Sequence, residues 1–132
     1  MQNEEKGIDY DLDACLRYNP QPFTVEDIEK VLAVWEGEND GDDWRWIIKL
    51  SKNSGDANGG RFVFLEGGCD YTGWDCQSFA ESNFAKTARM AANLVSNPDI
   101  RKSLIEQLRK SKNKTWREKM DEELNVKDLP KI

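Results

Sequence analysis

The sequence predicts an α+β domain in which helices pack on a small three-stranded antiparallel meander, in the element order αβββααα. Three observations predict it. Trp44, Trp46, Ile48 and Leu50 alternate with Arg45, Ile47 and Lys49, the period of a half-buried strand. Arg61-Phe62-Val63-Phe64-Leu65 is apolar on both faces and fits a central or covered strand. Helical spacing and capping signals then dominate from Ser78 to the end.

At 132 residues the chain is one domain, long enough to bury a core. Its 38% apolar content is modest, but five Trp, five Phe and three Tyr compensate, because each buried aromatic removes a large area from water. Residues 1–22 read as an acidic N-terminal arm or tail, and 23–132 as the domain proper with a helical C-terminal half. The arm closes on Asn19-Pro20-Gln21-Pro22, whose prolines favour extended backbone. It carries Tyr10, Leu12, Leu16 and Tyr18, which could pack if it docks.

Thr24-Val25-Glu26-Asp27 is a helix start: Thr24 can cap free N–H groups, and acids in the first turn suit the helix dipole. Ile28, Val31 and Leu32 continue it at helical spacing, although Val31–Trp35 equally suits a strand. An acidic turn follows over 36–43, then the alternating strand, a Gly- and Asn-rich hairpin loop over 51–60, and the apolar strand. Ser78-Phe79-Ala80-Glu81 has the spacing of a capping box, with Phe84, Ala88, Ala91 and Val95 as the stripe of a long helix. Asn97-Pro98 caps the next helix, which places Ile100, Leu104 and Leu108 on one side. Thr115-Trp116-Arg117-Glu118 opens a last helix, after a basic run over 109–114 that suits a charged linker.

No segment is long and apolar enough to span a bilayer, and the acidic N-terminus lacks the basic and then apolar pattern of a signal peptide. Three cysteines suit a reducing compartment better than a disulfide framework, so the expected location is the cytoplasm. Charge is distributed unevenly. Residues 1–81 carry 18 acids and 7 bases, while 82–132 carry 7 acids and 12 bases. An acidic surface repels nucleic acid and attracts basic proteins.

The most distinctive stretch is Cys69-Asp70-Tyr71-Thr72-Gly73-Trp74-Asp75-Cys76-Gln77, between the apolar strand and the long helix. Its thiols and carboxylates could hold a metal, but the cysteine spacing is not that of a zinc site and the chain has no His. Without His, neither cysteine has the usual base of a thiol nucleophile. Tyr71 and Trp74 either cover the sheet edge from a rigid turn or anchor an interface. The acidic turn opens like a calcium loop, with Glu36, Glu38 and Asp40-Gly41, but its twelfth position is Ile47 instead of the required Glu. Phosphate-cradling glycine motifs are absent from the sequence.

The core from about residue 24 to 84, and above all Cys69–Gln77, resembles a group of small proteins from bacteria and their phages. That resemblance implies a phage or mobile-element context and brings no activity, cofactor or site. The order αβββαα in an acidic chain also resembles that of some phage-encoded inhibitors of bacterial defence nucleases, a likeness of fold alone.

These readings converge on a non-enzymatic, acidic protein-binding module with no cofactor and no catalytic residue. Its expected partner is a protein with a basic surface, not nucleic acid or membrane, met through Glu36, Glu38, Asp40, Asp42, Asp43, Asp70, Tyr71, Trp74 and Asp75. The alternative is a small-molecule or metal-dependent site at the Cys69–Cys76 turn; self-association is a further possibility.

Overall fold

The structure, a computed structural model, describes residues 5–37, 43–51, 60–70 and 73–110. Its core is a four-stranded antiparallel sheet in the order β1-β2-β3-β4, comprising β1 (Ile28–Glu36), β2 (Asp43–Leu50), β3 (Phe62–Cys69) and β4 (Ser78–Ala85). Helix α1 (Tyr10–Tyr18) precedes the sheet; α2 (Ala88–Asn93) and α3 (Pro98–Arg109) follow it. The fold is α+β, but the expected three-stranded sheet and the order αβββααα are both corrected by this arrangement. The likeness to phage inhibitors rested on the superseded order and lapses with it.

Two segments account for the difference. Ser78–Ala85, expected to open a long helix, is instead the edge strand β4, paired in register with β3 from Phe62↔Ala85 to Cys69↔Ser78. β3 is apolar on both faces and its backbone N–H and C=O groups need partners on both sides. That requirement outweighs the weak strand propensity of Ser, Ala, Glu and Asn in β4. The helix starts only at Ala88, where the Thr87 hydroxyl accepts the Met90 N–H at 3.1 Å.

The second correction lies at Thr24. There only one short turn forms, Val25–Asp27, and the chain passes directly into β1. The apolar residues of β1 fit helical spacing partly because the strand is irregular, with register shifts at Lys30 and Ala33. The expected helix near Thr115 falls outside the described residues.

Each face of the sheet has its own core. On one face α1 sets Leu12, Cys15 and Leu16 against Trp44, Trp46, Ile48, Leu50, Val63 and Leu65. On the other, α2 and α3 set Ala88, Ala91, Ala92, Ile100, Leu104, Ile105 and Leu108 against Ala33, Ile47, Phe62 and Phe64. Alternation along β2 and β3 divides the side chains between these layers.

α1 forms within the stretch expected as an arm. Asp9 accepts the Leu12 N–H at 3.0 Å, Asp11 and Asp13 occupy the first turn, and Arg17 the last. Leu12 and Leu16 are buried whereas Tyr10 and Tyr18 are exposed. Asn97 caps α3, with Pro98 in its first turn.

Candidate functional site

In a meander, alternate connections emerge at the same end of the sheet. Asp43 pairs with Gly68, and Cys69 with Ser78, so the β1–β2 connection and the β3–β4 turn leave the sheet side by side. These are the two segments that carry the residues expected to bind a partner. Glu38, Asp40, Asp42 and Tyr71 lie outside the described residues; Glu36, Asp43, Asp70, Trp74 and Asp75 can be placed.

Glu36 and Asp43 frame the first connection. The Gly37 N–H donates to the Asp43 carbonyl at 2.8 Å, and the Glu36 carboxylate accepts the Trp44 indole N–H at 3.1 Å. Arg45 lies within 3.5 Å of the Asp43 carboxylate and 3.1 Å of Glu66, and its guanidinium sits 5.8 Å from the centre of the Trp35 ring. Asp43 and Glu66 are therefore partly neutralised from within, whereas Glu36, exposed at the strand end, has the Trp44 indole and, among the described residues, no cation as its partner.

The β3–β4 turn is closed by backbone bonds from the Asp70 N–H to the Gln77 carbonyl at 3.3 Å and from the Gly73 N–H to the Asp70 carbonyl at 3.0 Å. Gly73 has φ +106°, a conformation that a side chain would oppose. This backbone delivers Trp74 inward. Trp74 is 5% exposed, its ring centre 5.1 Å from that of Trp44, and its indole N–H donates to the Asp11 carboxylate at 3.1 Å. Of the two roles open for Trp74, the geometry gives the covering one; it is not a surface anchor. Asp75 and Cys76 beside it are exposed.

Further bonds tie the turn to α1. The Ser78 hydroxyl donates to the Trp74 carbonyl at 2.8 Å and accepts from the Asn19 amide at 3.0 Å. Helix and sheet approach closely here because Gly67 has no side chain: a Cβ there would lie 2.9 Å from the Cys15 sulfur. Burial pushes the Cys15 thiol up to about 12, with smaller contributions from Cys69 and Asp11. Cys15 and Cys76 are free thiols, and Cys69 packs partly buried against the α1-side core.

At this end of the sheet lies a groove of about 430 Å³ lined by Asp43, Gly68, Cys69, Asp70, Gln77, Ser78 and Phe79. Phe79 is 54% exposed. Two carboxylates, an amide and an aromatic face suit a cationic side chain. Among the described residues no three His, Cys, Asp or Glu side chains gather to hold a metal ion, and no helix is long and apolar enough to cross a membrane.

Ser78 and Phe79 were not expected at the site, because the capping-box pattern assigned them to a helix, and Gln77 was noted only as the end of the distinctive stretch. Polar and apolar residues do not alternate over Ser78–Ala85, so no local signal marked these residues as a strand. Comparison of the chain with family models, with curated proteins and with solved structures gives no match.

Proposed function

We propose that this protein is a non-enzymatic binding module whose acidic sheet end engages a basic surface of another protein, as an inhibitor or accessory factor. The observation that carries the proposal is the strand register: Asp43↔Gly68 and Cys69↔Ser78 bring both acidic connections to one end of the molecule. Glu36, Asp43, Asp70 and Asp75 thus share that end, and sequence continuity adds Glu38, Asp40 and Asp42 between Glu36 and Asp43. Concentrated charge of one sign speeds encounter with an opposite patch and disfavours nucleic acid.

The test is a pull-down of the tagged protein from nuclease-treated bacterial lysate at low and moderate salt, identified by mass spectrometry and followed by binding assays on the captured partner. Reversing Asp40, Asp42 and Asp43 to Lys is expected to weaken binding by tenfold or more, an order-of-magnitude figure, and to flatten its salt dependence. Unchanged affinity and salt slope would remove the acidic end from the interface.

The groove beside Cys69 favours a second reading, a small cationic ligand held by Asp43 and Asp70 against Phe79. Melting temperatures measured with a panel of amines and guanidinium compounds discriminate it: a ligand-dependent rise abolished by Phe79→Ala supports it, and no rise across the panel discards it.

A further inference from the structure

The strand register sorts the helix-covered face of the sheet into rows that run across the strands. Towards one end, Ala33, Ile47, Phe62, Phe64 and Ala85 join the core formed with α2 and α3. The two rows nearest the acidic end are different. One aligns Trp35, Arg45, Glu66 and Glu81; the other aligns Asp43, Gly68 and Phe79. Trp35 packs partly buried against that core, whereas Phe79 and Glu81, on β4, are exposed.

On the β1 side these rows are neutralised from within. The Arg45 guanidinium combines an aromatic face, Trp35, with two carboxylates, Asp43 and Glu66. On the β4 side an aromatic and a carboxylate recur without a cation. Phe79 and Glu81 lie two residues apart on one strand and so share a face, and no cation among the described residues pairs with Glu81. Glu81 also stands directly opposite Glu66 in the register, where like charges repel. The two rows thus set three acids against the single Arg45.

We propose that this uncovered part of the sheet face receives an arginine of the basic partner, its guanidinium stacked on Phe79 and paired with Glu81. The proposal rests on the binding-module reading and names the side chain that the module selects. A planar guanidinium stacks on a ring while bonding carboxylates at its edge, whereas an ammonium is a compact, strongly hydrated charge. Arg45 over Trp35 is the same combination satisfied within the chain. The groove lined by Asp43 and Phe79 adjoins the place where the guanidinium sits.

The test uses the full chain and two probes of equal charge, acetylated hexa-arginine amide and acetylated hexa-lysine amide, titrated by calorimetry at low salt. Wild type should bind hexa-arginine about fivefold more tightly than hexa-lysine. Phe79→Ala should erase that preference, because the ring is what distinguishes the two cations. Glu81→Gln should weaken hexa-arginine binding about threefold, whereas Glu106→Gln, the same neutralisation on an exposed residue of α3, should leave it unchanged. E81Q relieves the opposition to Glu66, so it should melt no lower than wild type and serves as the second variant should F79A fold poorly.

No binding of hexa-arginine, equal affinity for the two peptides, a preference that survives F79A, or equal losses in E81Q and E106Q would each overturn the proposal. Reversal of Asp40 and Asp42 to Lys separates it from the reading on which it rests. If that reversal weakens both peptides while the arginine preference is absent, the acidic end stands and the arginine site falls. If it weakens neither, the acidic end falls as well.

Discussion

Replacing Trp74 measures how firmly the β3–β4 turn is held to the rest of the protein. Its indole is almost wholly buried against Trp44, and its N–H reaches the Asp11 carboxylate on α1. Trp74→Ala removes that burial and leaves a cavity, for which large-to-small changes cost about 3–5 kcal/mol. For a chain of this length each kcal/mol corresponds to about 4 °C, so the expected fall in melting temperature is about 12–20 °C.

Trp74→Phe separates the two contributions. It keeps an aromatic ring near Trp44 and loses the bond to Asp11. Hydrogen bonds to charged groups contribute about 1.5–3 kcal/mol, reduced here because Asp11 is only half-buried and can be hydrated instead. A double-mutant cycle of W74F with Asp11→Ala, followed by urea unfolding, should give a coupling energy of about 1 kcal/mol at unchanged m. Single effects that add to within about 0.3 kcal/mol would refute the claim that this bond fastens the turn to α1.

Two further predictions concern α1. Leu12→Ala should cost about 2–5 kcal/mol in urea unfolding, because Leu12 is fully buried in the α1-side core; a change below about 0.5 kcal/mol would contradict that packing. Cys15 should introduce an alkaline dependence of stability. The native state holds the thiol proton up to about 12 whereas the ordinary value is 9.0, so the contribution is intact below pH 9 and is lost as pH rises from there toward 12. Wild type should lose stability faster than Cys15→Ala across that window, by up to about 1.4 kcal/mol per pH unit, and parallel pH profiles would contradict the assignment.

The strands that alternate or run apolar were legible because their pattern follows directly from the two faces they present. Trp44–Leu50 and Phe62–Leu65 fall within β2 and β3, and Asn97-Pro98 marks the start of α3. Ser78–Ala85 was not legible. Its composition and its Ser-x-x-Glu spacing suit a helix start, and only the vacant edge of β3 makes it a strand. For the candidate site, the two acidic connections were found in the sequence, whereas their adjacency depends on the antiparallel register. The inward placement of Trp74 depends on the positive φ of Gly73 and on Asp11, which lies 63 residues away in the chain.

The sequence by itself determined the α+β class, the two central strands and the concentration of acid in residues 1–81, since each follows from local periodicity or composition. The tertiary structure decided the fourth strand and the docking of α1 as one layer of the core. Those features depend on backbone hydrogen bonds and buried apolar faces that must be satisfied by residues distant in the chain, and a local pattern carries no record of which distant residue will satisfy them.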